Sequence, residues 1–216
     1  MTGLMMKDAL VMRKTLRLYA LFLLFYSGLA VLGVFPMSVA LAMVEVIVMV
    51  LPISSFSYDE AAKWDRYAAV LPVGRTAVVK ARYLFLLLVL LAAAAIGLVG
   101  SILASLLARK DLGELLATLL VSMGLGLMIA DIMLPVVYQL GPERARPWMY
   151  VIIFAPIVVL LGGTKLGLFD GIDLSWLDQL PELAVLGVFA LVPLVPLVGM
   201  LLSCWISCRI YARKEF

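Results

Sequence analysis

The sequence predicts an all-α integral membrane protein with six transmembrane helices and both termini in the cytoplasm. Three observations predict it. Of the 216 residues, 65% are hydrophobic and only 14% are charged, against roughly 45–50% and about 25% in an average soluble domain. Six apolar stretches approach the ~20 residues that a helix needs to cross a hydrocarbon core about 30 Å thick. The 17 Lys and Arg are shared unequally between alternate connections.

The N-terminal segment, residues 1–17, has Met5, Ala9, Met12 and Leu16 at helical spacing, with Lys7, Lys14 and Arg17 elsewhere. It reads as an amphipathic helix in the headgroup layer, or simply as a basic flank of the first span. The six apolar stretches are Leu18–Val34, Met37–Phe56, Tyr83–Leu107, Leu112–Leu140, Trp148–Gly163 and Leu183–Cys208. Ala40-Leu41-Ala42 has the look of a signal-peptidase site, but the run before it is longer than the roughly 7–15 residues of a signal h-region. The first stretch is therefore expected to remain as a helix. The fifth is short, and either tilts little or runs on through Thr164 and Lys165. Pro52, Pro135, Pro156, Pro193 and Pro196 imply kinks with freed carbonyls, tolerated where neighbouring helices satisfy them. A barrel is excluded, because its strands would alternate in polarity over about ten residues.

With the N-terminus inside, fourteen Lys and Arg fall on the inner segments and only Arg109, Lys110 and Lys165 on the outer ones. That bias sets the orientation. The largest outer loop, residues 164–182, is acidic and is expected to carry a short or re-entrant helix, with Asp173 as its cap. No internal repeat is evident, so the chain reads as one membrane domain.

Enzyme chemistry finds little support. There is no His, which removes imidazole ligands and His-based hydrolases, and no Asn for N-glycosylation. The GxxxxGK[ST] loop that cradles nucleotide phosphates is absent. Cys204 and Cys208 are four apart and read as two small apolar residues on one helical face; no metal site is expected. Two carboxylates sit where they are costly, Glu45 within the second span and Asp131 within the fourth. Such groups usually face the bundle interior. Glu45 reads equally as an element of a transport path and as a protonated, hydrogen-bonded group. Asp131 lies four residues before Pro135, which favours a structural role at that kink. Gly97 with Ser101, and Gly124 near Gly126, permit close helix contacts.

One polar island interrupts the chain. "YDEAAKWDRYAAVLPVGRTAVVKARYL", residues 58–84, holds eight charged residues and four aromatic rings. It spans the largest inner loop, where Ala61, Trp64 and Ala68 at helical spacing predict a short surface helix ending before Pro72. That helix suits either docking of a cytoplasmic partner or plain anchoring of two spans.

The island resembles the segment after the second span of small six-span permeases of type-2 ABC exporters, among them relatives of the bacitracin-resistance permeases and of the exporters of amphipathic cytolytic peptides. The likeness lies in the Asp59-Glu60 pair, "WDRY", "LPVGR" and "VVKARYL", and extends to "GLMMKDALVMRK" and "LPVVYQLGPERAR". It implies that residues 1–216 form a single permease domain, with 58–73 as the coupling helix region. The subunit itself would bind no cofactor. A dimer of separate cytoplasmic ABC ATPase subunits would bind ATP and Mg, and the permease would pair with a second copy or a similar permease in the bilayer of the cell membrane. No nucleic acid is implied. On this resemblance Asp59, Glu60, Trp64, Asp65, Arg66 and Tyr67 form the coupling element, while Pro72 and Arg75 fix the exit from it. The rival reading is a self-contained membrane protein, either an ion-coupled carrier using Glu45 and Asp131 or an immunity-type binder.

Overall fold

The computed structural model describes residues 2–64, 67–68, 74–165 and 182–213, without the side chains of 157, 160 and 182–186. Among these residues the elements are α1 (Thr2–Val11), α2 (Arg13–Val31), α3 (Met37–Ala61), α4 (Arg75–Ala108), α5 (Leu112–Leu140), α6 (Pro142–Lys165) and α7 (Glu182–Arg213). Six of them, α2 to α7, are long and apolar enough to cross a membrane. Most of the expected outer-loop helix at 164–182 lies outside the described residues.

The helices differ from the expected spans mainly by running past them. The N-terminal helix ends at Val11, not at residue 17, and Arg13, Lys14 and Arg17 belong to the first turns of α2. Bonds from Met12 N–H to Asp8 O and from Leu16 N–H to Met12 O carry the backbone ladder through the joint, and Met12 is buried. The third span starts at Arg75 rather than Tyr83, so its basic residues are helical too. The fifth span gains a charged first turn: Gly141, at φ 81, makes the corner after α5. Pro142 then starts α6, a position where its missing N–H costs nothing. At its far end α6 does run on through Thr164 and Lys165. The turn before α5 is closed by Asp111, whose side chain accepts from Gly113 N–H at 3.0 Å as an N-cap should.

Three helices form the centre and three the periphery. The membrane-crossing windows of α3, α4 and α5 are 50%, 39% and 44% buried, against 17%, 6% and 17% for α2, α6 and α7. Glycine decides how closely α5 meets its neighbours. A Cβ on Gly126 would stand 3.2 Å from Glu45 Cα and 3.3 Å from Val48 Cβ, both on α3. A Cβ on Gly124 would stand 2.7 Å from Val192 Cγ1 and 2.8 Å from the Val192 carbonyl oxygen, on α7. Two residues apart on a helix point to roughly opposite sides, so α5 is gripped between α3 and α7.

The α5–α7 seam runs parallel along both helices. Gly124 meets Val192, Asp131 meets Gly199, and Tyr138 meets Tyr211 with ring centroids 5.5 Å apart. Gly124, Asp131 and Tyr138 are spaced by seven, which brings one seam of a helix back to the same partner. Each helix also accommodates a carbonyl freed on the other by proline. Pro135 leaves the Asp131 carbonyl without its intrahelical donor, and Ser203 Oγ donates to it at 2.6 Å. Pro196 does the same to the Val192 carbonyl, which faces the bare Cα of Gly124, a contact suited to a weak Cα–H···O bond.

Candidate functional site

The loop between α3 and α4 is built differently from a simple surface helix. The second span continues as helix to Ala61, so Asp59 and Glu60 occupy its last turn. Lys63, at φ 50, breaks the helix, with Ala62 N–H donating to Tyr58 O and Lys63 N–H to Glu60 O, each at 3.0 Å. The chain is helical again at Trp64, Tyr67 and Ala68. Ala68 is buried, whereas Glu60 and Tyr67 are exposed. Asp65, Arg66 and Pro72 lie outside the described residues. Arg75, on the first turn of α4, donates from Nη1 to the Ala212 carbonyl at 3.1 Å. It thereby takes one of the last carbonyls of α7, which have no intrahelical donor.

Asp59 points into the bundle rather than out of it. Lys7 Nζ lies 2.7 Å from Asp59 Oδ1 and 2.8 Å from Asp8 Oδ1. Arg82 Nη2 donates to Asp59 Oδ2 and stands 3.4 Å from Asp8 Oδ1. The cluster holds two cations and two anions, so it is neutral as a whole. Side-chain exposure is 5% for Arg82, 6% for Asp8 and 12% for Asp59. Charges this deeply buried persist only when paired, and removing one partner strands the others.

Aromatic rings complete the cluster. Lys7 Nζ sits 4.2 Å from the Trp64 ring centroid, and the Arg82 guanidinium 4.5 Å from that of Phe56, both within cation–π range. Phe56 meets Tyr138 edge-on at 4.6 Å, and Tyr138 meets Tyr211. The start of the loop is thus tied to α1 and α4 by charge, and to α5 and α7 through rings. A displacement of the α3 end would be felt by four other helices.

In the sequence Arg82 is one of fourteen inner cations, and its spacing carries a further signal. Val78, Val79, Phe85 and Leu86, three and four residues to either side, are all apolar, and all are buried in the structure. An arginine on such a face must find anions. Asp8 and Asp59 are 74 and 23 residues away, and no local pattern names them.

The two intramembrane carboxylates stand in unlike surroundings. Asp131 is sealed in the α5–α7 seam: both carboxyl oxygens are buried, with no hydrogen-bond partner among the described residues. A hydroxyl chain runs beside it, with Tyr83 OH 2.6 Å from Ser203 Oγ and 2.8 Å from Ser207 Oγ. Since Ser203 gives its proton to the Asp131 carbonyl, Tyr83 must donate to Ser203, and Ser207 to Tyr83. The chain therefore has one direction and fastens α7 to α4 and α5. Glu45 is half-buried on α3, and its carboxyl forms no hydrogen bond or ion pair among the described residues. The structure does not bring Glu45, Asp131 and the loop residues into one site.

Comparison with known proteins gives a single family. No curated protein and no solved structure matches the chain. Residues 3–212 match the family model described as ABC-2 family transporter protein, which covers all seven described helices but for their terminal residues. The chain belongs to the ABC-2 transporter family and is a multi-pass permease component of an ABC transporter in the bacterial cell membrane.

Proposed function

We propose that this permease works as an exporter, moving an amphipathic or hydrophobic substrate such as a peptide outward, with energy supplied by separate ATPase subunits. The reading rests on the near-complete family match of a chain that has no phosphate-binding loop of its own. Family membership implies an ATP-binding partner. The Lys and Arg bias supports a cytoplasmic position for both termini and the 57–82 loop, on the side where that partner acts.

On this reading the loop is the coupling element, and its residues divide the work. Glu60 and Tyr67 are exposed and present the docking surface, to which the family resemblance adds Asp65 and Arg66. Asp59 and Trp64 anchor that surface to the bundle through Lys7 and Arg82. Closure of a pair of ATPases on ATP would push the loop, and the anchored α3 end would carry the push into a pair of permeases.

The test is co-expression with the ABC ATPase encoded nearest the gene, followed by purification and measurement of substrate-stimulated ATP hydrolysis. Trp64→Ala and Asp65→Arg should each abolish stimulation while leaving membrane insertion intact. Unchanged stimulation in both variants would sink the coupling assignment. Purification without any ATPase, with transport retained in membranes free of one, would sink the exporter reading itself.

A further inference from the structure

Glu45 is the polar group that the fold leaves unexplained. It lies eight residues from the start of α3 at Met37 and sixteen from its end at Ala61. At 1.5 Å per residue that is about 12 Å from one end of the helix, deep in the hydrocarbon layer. Its backbone is pressed against Gly126 of α5. Its carboxyl is not among the sealed, unpartnered oxygens of the described residues, whereas both oxygens of Asp131 are. Glu45 thus combines two properties: it has no polar partner among the described residues, and it is open to whatever lies beside the chain.

The surface around it is defined on one side. Met49 and Ile53 follow Glu45 at four-residue intervals and so share its face of α3. They pack with Ile129 and Met133 of α5 and with Met149 and Ile152 of α6 in a separate apolar cluster. This cluster joins α3, α5 and α6 on the side of Glu45 towards the C-terminal end of α3. Further along α6, Ala155 and Pro156 are exposed, and Phe154, Val158 and Val159 are 57%, 65% and 66% exposed. Glu45 lies one helical turn before Met49 on this face and is itself half-buried.

Charge decides what belongs there. The sequence has no Lys or Arg between Arg17 and Lys63, between Arg82 and Arg109, between Lys110 and Arg144, or between Lys165 and Arg209. Between Arg146 and Lys165 there is none either. No cation of this chain therefore reaches the depth of Glu45. A carboxyl in hydrocarbon must be protonated or meet a positive charge, and methionine-rich apolar surface adapts to varied ligands.

We propose that Glu45 receives the cationic group, ammonium or guanidinium, of an amphipathic ligand whose apolar part lies on Met49, Met149 and Ile152. This rests on the permease reading above and names the class of substrate it would select. The exchange balances: without ligand the carboxyl carries a proton, and on binding that proton leaves to bulk water while the ligand's cation pairs with the carboxylate.

The chain alone, in lipid nanodiscs, tests this without any ATPase. Dicyclohexylcarbodiimide, an apolar reagent that modifies protonated carboxyls, should label Glu45 and spare Asp131, as read by mass spectrometry of peptides. Dodecyltrimethylammonium should protect Glu45 about tenfold, the preference that ~1.4 kcal/mol gives, while dodecyl maltoside, with the same chain and no charge, should not. Glu45→Gln should remove the label, and Glu45→Asp should restore it with its protection. Equal protection by both amphiphiles, protection by neither, or a Glu45 as unreactive as Asp131 would each overturn the proposal. A missing ATPase partner would leave this result untouched, so the two readings fail separately.

Discussion

The clamp at the loop and the carboxyl on α3 handle charge in opposite ways. Lys7, Asp8, Asp59 and Arg82 bring two cations and two anions into contact near the terminal face, and little of them remains exposed. Glu45, at depth, has no polar partner among the described residues, and its carboxyl is not sealed. Asp131 is intermediate in character, unpaired like Glu45 but sealed like the clamp. Burial and pairing therefore serve separate ends in this bundle. Paired charge holds helices in place. Unpaired charge that remains open is what the proposed cationic ligand would meet.

The clamp is where substitution should do most damage. Arg82→Met leaves Asp8 and Asp59 to share Lys7, one cation for two buried anions, and loss of one partner of a buried pair costs about 3–5 kcal/mol. Thermal unfolding in detergent should show the largest drop for this variant. Neutralising Asp8 and Asp59 as well, in a triple variant with Asn at both positions, should recover part of it. If Arg82→Met alone unfolds like the unaltered chain, the cluster is not holding α1 and the loop to α4.

Next in size is the seam. Gly124→Ala drives a methyl into the Val192 backbone, where 2.8 Å leaves no room, and overpacking of this kind costs about 1–3 kcal/mol. Gly126→Ala meets Glu45 Cα at 3.2 Å and should cost less, since a small shift relieves it. Comparable losses in the two variants would mean that α5 is not held more tightly by α7 than by α3. Ser203→Ala removes the donor that satisfies the Asp131 carbonyl. A buried acceptor left unsatisfied costs about 1–3 kcal/mol, so this variant should unfold earlier than Tyr83→Phe, which leaves the Ser203 bond to that carbonyl in place.

The smallest stability effect should fall on Glu45. Glu45→Gln removes no polar contact among the described residues, so its unfolding should stay within about 0.5 kcal/mol of the parent, as for sites that engage nothing. Its effect should show in ligand protection instead. A loss as large as that of Arg82→Met would reveal an internal partner and erase the contrast between the two regions.

Much of the fold is legible in the chain before any coordinates. A helix in hydrocarbon must satisfy its own backbone and present apolar residues on every side, so length and composition alone mark all six spans. The proline positions and Asp131's place four residues before Pro135 are legible too, and Ser203 does take up the carbonyl freed there. Helix ends are less so: α3 and α4 carry polar residues at their termini, and composition cannot tell a helical turn outside the hydrocarbon from a loop. Arg82 is visible as a cation but not as the centre of a clamp.

Read residue by residue, the chain specifies a six-span membrane protein with its basic residues gathered at one end and no cation at the depth of Glu45. Those properties follow from the bilayer acting as solvent on each segment separately. Three others emerge only once the helices are packed together. Asp59 turns inward to Arg82 and Lys7, Gly124 and Gly126 face different helices, and Asp131 is sealed while Glu45 stays open. Each depends on which helix faces make contact, and hydrocarbon, wetting all apolar faces alike, leaves that choice to close packing and the pairing of polar groups.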